Sequence, residues 1–320
     1  MRRWVFLLAC LTGGCAGTPV LAPLLDDAST HSAVELTSTP FYPQVKYQCG
    51  PAALATVLNT SGASVTADAL VDWVYLPGRR GSLQAELVAA ARRYGRVPYT
   101  LPPTLDALLG ELRAGRPVLV LQNLGLRRRP VWHYAVVVGF DAAREHIVLR
   151  SGTSERKVMS ARRFERTWRR AASWALVVLK PSELPAEPDH DRYLQAVAGL
   201  EATGHTKLAL AGYETALNRW PDSTIARLGL GNAHYRQGDL QRAVDTFQAL
   251  VVDHPSEVIA RNNLAHVMHE LHCTSQALQE IEHALVIRDT SPALREALLA
   301  TRATIINDGD RALTETHCQW

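Results

Sequence analysis

The sequence predicts an α+β domain followed by an all-α helical solenoid, and three observations carry that prediction. Residues 33–180 interleave amphipathic helical periods with short β-branched runs. Residues 181–190 open the polar stretch PSELPAEPDHDR, which holds three prolines and reads as a linker. From residue 191 to about 306, every strong signal is helical. The linker shares few apolar positions with either side, so the helical part is expected to fold by itself.

The bulk properties fit two globular domains. The chain has 320 residues, 47% of them hydrophobic and 20% charged, with a formal net charge of only +3. So small a charge gives no reason to expect nucleic acid as a partner. The short arginine runs, at 127–129 and 169–170, read as solvated surface.

The first residues, MRRWVFLLACLTGGCAG, place two arginines before a short apolar run and then small residues before a cysteine, the pattern of an export signal. The run is too short to serve as a membrane-spanning helix. Thr12-Gly13-Gly14-Cys15 resembles a bacterial lipoprotein cleavage site, which implies a signal peptide over residues 1–14 and a lipid on Cys15. Cys10, the alternative, would have a very short apolar run before it. The resemblance lacks an aspartate after the cysteine, where Ala16 and Gly17 stand, and this implies the outer membrane, with the protein facing the periplasm. The membrane is then a partner through the lipid anchor only. In such an oxidising compartment Cys273 and Cys318 could pair, although spacing does not establish the bond.

The helical part carries a repeat of 34 residues. Ala209, Ala243 and Ala277 keep that spacing, as do Tyr213, Phe247 and Ile281, and as do Pro221 and Pro255. Small residues let paired helices approach, and an aromatic one turn later fills the gap between pairs. The pattern resembles the tetratricopeptide repeat. Three repeats are expected, with a capping helix over residues 291–306, and a protein partner is the usual occupant of such a solenoid. Within it, His266, His269 and His272 step by three around a helix and do not form HExxH, so a polar face is expected and no metal site.

The chemistry-bearing stretch is CGPAALATVLN, residues 49–59. Pro51 suits a first helical turn, and no helix breaker follows before Asn59 and Gly62. Cys49 is therefore expected at a helix N-terminus, where unpaired N–H groups favour a thiolate and lower its pKa. Gly50 would keep the approach to sulfur open. A thiolate nucleophile needs a base, and His133 opens the apolar strand HYAVVVGFD. Gln44, five residues before the cysteine, can offer an amide to an oxyanion together with the Cys49 N–H. Gln48 is the weaker candidate because it adjoins the cysteine.

Together Gln44, Cys49-Gly50-Pro51-Ala52 and the His133 strand resemble the papain-like cysteine peptidases related to the bacteriocin-processing, double-glycine-leader family, over residues 36–179. The resemblance implies a papain-like α+β cysteine peptidase domain acting on a peptide or protein, without a cofactor, with Gln44, Cys49 and His133 in oxyanion, nucleophile and base roles. It also implies an aspartate on the next strand to orient the imidazole. Here that segment reads IVLRSGT, and Ser151 stands in its place. A hairpin turning at residues 142–145 would bring Ser151, Thr153 or Ser154 near His133. Asp141 lies eight residues down the same strand, about 25 Å away when extended. A serine can hold the ring's tautomer but stabilises imidazolium less well than a carboxylate. Two functions follow: an active peptidase, or a non-catalytic peptide-binding or assembly protein on the same scaffold.

Overall fold

A computed structural model describes residues 19–24, 32–44, 47–288, 290–309 and 318. The expected signal peptide and Cys15 lie outside the described residues. Among those described, no helix is long and apolar enough to cross a membrane.

The first part is a sheet of seven strands, all antiparallel, with helices on both faces. Its elements are β1 (Ala33–Glu35), α1 (Cys49–Thr60), α2 (Ala67–Val74), α3 (Gln84–Arg93), β2 (Val97–Thr100), α4 (Leu105–Arg113), β3 (Val118–Asn123), β4 (Trp132–Asp141), β5 (His146–Ser151), β6 (Ser154–Ser160), α5 (Ala161–Arg169) and β7 (Ala175–Leu179). The strand order is β2-β7-β3-β4-β5-β6, with β1 pairing the far end of β4.

β4 is central and buried on both faces from Tyr134 to Phe140, as its β-branched run requires. Side chains alternate across it. Tyr134, Val136 and Val138 pack toward α1 and α3, while Ala135 and Val137 pack toward α4 and α5. The expected hairpin forms: Asp141 pairs with His146, so β5 returns alongside β4 and ends at Ser151.

α1 is the buried spine of one face, with every residue from Gly50 to Leu58 buried. Asn59 finishes it by bonding back to the Ala55 carbonyl (2.8 Å) and across to the Val65 carbonyl (2.6 Å). Thr66 and Thr104 cap α2 and α4 through their hydroxyls.

Residues 190–309 form helices that pack pairwise: α6 (His190–Glu201), α7 (Thr206–Arg219), α8 (Thr224–Arg236), α9 (Leu240–Asp253), α10 (Val258–Glu270), α11 (Thr274–Val286) and α12 (Pro292–Gly309). The repeat positions take the expected places. Ala209, Ala243 and Ala277 are fully buried, and the Phe247 ring lies where a side chain at Gly231 would stand, 2.4 Å from the atom an alanine would add. His266 meets the Tyr235 hydroxyl at 3.0 Å and the Glu270 carboxylate at 3.3 Å. Cys273 and Cys318 are disulfide-bonded with Cα atoms 5.8 Å apart, which ties residue 318 to the end of the helical array.

The two parts are not separated by an apolar gap. The segment before α6 is pinned: Ala186 N–H donates to buried Glu111 (2.7 Å), and Asp189 N–H donates to the Tyr99 hydroxyl (3.2 Å). Tyr193, Val197 and Leu200 of α6 then join one continuous core with Val97 and Tyr99 of β2, extending to Ala226 and Ala233 of α8. A second helical core begins only at α9. Helical periodicity reports which face of α6 is apolar but not what covers it. Here the sheet covers it.

Candidate active site

Four side chains expected to carry chemistry converge at the N-terminal ends of α1 and β4. Cys49 is the first residue of α1, half-buried, and the one free cysteine among the described residues. His133 is the second residue of β4, just before the strand dives into the core. Ser151 ends β5, is buried, and its Oγ lies 2.8 Å from His133 Nε2 in a hydrogen bond. Asp141 sits at the other end of β4, engaged by the Arg144 N–H and guanidinium at 2.9 Å each. Among the three hydroxyls that the hairpin could have delivered, the register selects Ser151.

Gln44 is fixed at both ends of its amide. Its Nε2 donates to the Tyr134 carbonyl (3.3 Å), and its Oε1 accepts from Gly152 N–H (3.0 Å). The Gln44 main chain also donates to the Gly152 carbonyl (3.0 Å). The side chain thus clamps the His133 strand to the turn that follows Ser151, and one Nε2–H is left over.

Electrostatics depart from the expectation at Cys49. Burial pushes its thiol above the ordinary value, while the backbone N–H groups of Tyr134, Gly50 and Cys49 itself pull it back. Burial is the larger effect, so the helix N-terminus does not by itself yield a thiolate. His133 is also held uncharged. Burial, and then the Lys157 ammonium, lower it to about 4. Thiol and imidazole are not hydrogen-bonded to each other in this structure, a separation that unliganded sites commonly show.

Gly50 has a reason that the sequence does not reveal. A Cβ there would stand 2.3 Å from Ser82 Oγ and 2.6 Å from Ser82 Cβ, because the chain before α3 closes over the start of α1. Tyr134 fastens that closure by donating to the Ser82 carbonyl (3.3 Å). Gly50→Ala is therefore expected to destabilise the protein by about 1–3 kcal/mol, read as a lowered melting temperature. An unchanged melting temperature would show that Ser82 moves freely.

Sequence reasoning missed Lys157, the cation facing His133. It lies in the exposed edge strand SERKVMS, where a lysine reads as ordinary protection against edge pairing. Among the described residues, no group of three His, Cys, Asp or Glu is placed to hold a metal ion.

Residues 36–176 match the Peptidase_C39 like family, and residues 196–265 match a tetratricopeptide repeat family. The chain carries a C39-peptidase-like domain followed by tetratricopeptide repeats. Its peptidase-like domain is similar to a C39-like peptidase from Bacillus anthracis, at 20% identity over 46% of this chain and 98% of that one, with a TM-score of 0.39. It is also similar to the peptidase domain of Streptococcus ComA, a bi-functional ABC transporter involved in quorum sensing, at 21% identity over 44% and 98% of the two chains (TM-score 0.37). The repeats are similar to the Sgt2 TPR domain of Aspergillus fumigatus, at 18% identity over 42% and 89% (TM-score 0.35). No curated protein matches the chain.

Proposed function

We propose that the protein is an exported, lipid-anchored cysteine peptidase, whose C39-like domain cleaves a peptide or protein and whose repeats recruit that substrate or a partner. The observation that carries the reading is the His133–Ser151 hydrogen bond beside a helix-opening cysteine. If Nε2–H donates to Ser151, Nδ1 keeps the lone pair needed to take the Cys49 proton. Cys49 Sγ attacks the scissile carbonyl as its proton passes to His133. The amine then leaves with that proton, and water attacks the thioester to release the acid and restore the thiol. The remaining Gln44 N–H and the Cys49 N–H would share the oxyanion. Ser151 acts through His133 as a positioning residue.

The boundaries that go with this reading are a signal peptide over residues 1–14, the peptidase domain over 33–180 and the repeats over 191–306. Localisation at the outer membrane on the periplasmic side rests on the resemblance around Cys15. The Cys273–Cys318 disulfide is in keeping with an oxidising compartment.

A second reading, a non-catalytic peptide-binding lipoprotein, is favoured by one feature: thiol and imidazole are both held neutral and are not bonded to each other. Iodoacetamide labelling of the mature protein separates the two readings. Under the enzyme reading His133→Ala slows the alkylation of Cys49, whereas indifference to His133 favours the binding module. Fractionation of Cys15→Ala tests the anchor, and retention in the membrane without that cysteine would sink it.

A further inference from the structure

Behind Ser151 lies a cavity of about 170 Å³ on the α5 side of the sheet. Lys157 from β6, Arg163 and Arg166 from α5 and Arg170 just after that helix line it, together with the buried polar residues Gln122 and Ser151. Not one acidic side chain lines it. None of these four cations is ion-paired with a carboxylate among the described residues. Arg170 is held by the Gly125 and Arg166 carbonyls, which orient the guanidinium without neutralising it. The nearby Glu165 is turned to Arg169, 3.8 Å away. Arg150, pointing to the opposite face of β5, is spent on the carbonyls of Thr37, Thr39 and Glu155. Gln122 is anchored by donating to Thr167 (2.7 Å), so the floor of the cavity is rigid as well as polar.

Four cations and no carboxylate thus line a cavity the size of a few waters, with Lys157, Arg163 and Arg166 exposed at its rim and Arg170 half-buried. Ser151 brings no charge to His133, and the charge that does act on the imidazole, that of Lys157, has the wrong sign for an imidazolium.

We infer that this cavity is an anion subsite, in which a carboxylate- or phosphate-type oxyanion supplies His133 with the negative charge that Ser151 cannot. The inference rests on the peptidase reading for its catalytic consequence, but not for the binding itself. An anion held by Lys157, Arg163 and Arg166 offsets the Lys157 charge and stabilises imidazolium, so the thiolate–imidazolium pair forms only when the subsite is filled. The oxyanion comes either from an acidic side chain of the substrate or from a free anion. In both cases the chemistry of recognition is the same, with guanidinium forks and one ammonium.

The test uses the full mature chain, titrated with inorganic phosphate against chloride at constant ionic strength. Saturable binding, read as a rise in melting temperature, is expected in the wild type. It should weaken at least about tenfold in Arg163→Gln/Arg166→Gln, two exposed positions, and also in Lys157→Gln on a separate element. Over the same titration, the His133 proton signal, assigned by its loss in His133→Gln, should move its midpoint up by about one to three pH units. A tetraglutamate peptide that binds more tightly than phosphate assigns the site to a substrate side chain, and the reverse order assigns it to a free anion. No saturable binding, binding that ignores both variants, or binding that leaves the His133 midpoint in place overturns the subsite. Binding with a His133 shift but an inert Cys49 keeps the subsite and removes the peptidase. A reactive Cys49 with no binding does the opposite.

Discussion

Cys49→Ala is expected to lose turnover of an acyl substrate by about 10⁴-fold or more while melting at the wild-type temperature. The thiol is half-buried and meets only backbone N–H groups, while α1 is held by the buried residues from Gly50 to Leu58, so removing one sulfur leaves the start of the helix intact. Activity, by contrast, has no second nucleophile to fall back on, because the other described cysteines are joined in a disulfide. His133→Ala should cost a similar factor. The pH profile is part of the same expectation. With burial raising the thiol and lowering the imidazole, alkylation of Cys49 in chloride should climb through the alkaline range and show no plateau near neutrality. Gln44→Ala should lower turnover by about 10²–10³-fold and alkylation far less, since alkylation builds no oxyanion. Equal losses in both assays would instead mean that Gln44 serves only to hold the turn at Gly152. Residual wild-type turnover in Cys49→Ala would end the nucleophile assignment.

Tyr193→Ala is expected to destabilise the whole chain by about 3–5 kcal/mol. The ring is fully buried, its hydroxyl donates to the Pro181 carbonyl (3.1 Å), and it packs at 6.2 Å from the Trp220 ring. It belongs to the same core as Val97 and Tyr99 of the sheet, so the loss is shared by both parts. Thermal unfolding followed by helix signal and by Cys49 labelling should therefore shift together. The fragment 191–320 should be less stable than the same helices in the intact chain, because it strips the sheet from Tyr193, Val197 and Leu200. A fragment as stable as the intact chain would show that the shared core contributes little.

Much of this architecture is legible in local sequence. The run CGPAALATVLN yields α1 because one proline at the start and an asparagine at the end bracket a stretch with no helix breaker. HYAVVVGFD yields a central strand because β-branched residues buried on both faces leave no other solution. The 34-residue spacing of Ala209, Ala243 and Ala277 yields the repeats because each alanine sits where two helices touch. What stays hidden is whatever depends on distant chain. Ser82 meets Gly50, Lys157 faces His133, and α6 is covered by the sheet, all across separations that no local period encodes. The thiol is the clearest case. Its position at a helix N-terminus is a local fact that favours the anion, while its burial comes from the closing segment and β4 and decides the sign.

The core shared by β2, α6, α7 and α8 removes the hinge that a proline-rich connection would have offered. A polypeptide gripped by those first repeats would meet Cys49 by its own slack alone, with no swing of the enzyme to help. The effective concentration of the scissile bond is then set by the number of residues between the grip and the cleavage point. It is greatest where their mean span matches the fixed gap, and it vanishes for shorter spacers. If the repeats hold the substrate of an active peptidase, a protein built this way would measure distance along that substrate, cutting at a set offset from the gripped segment.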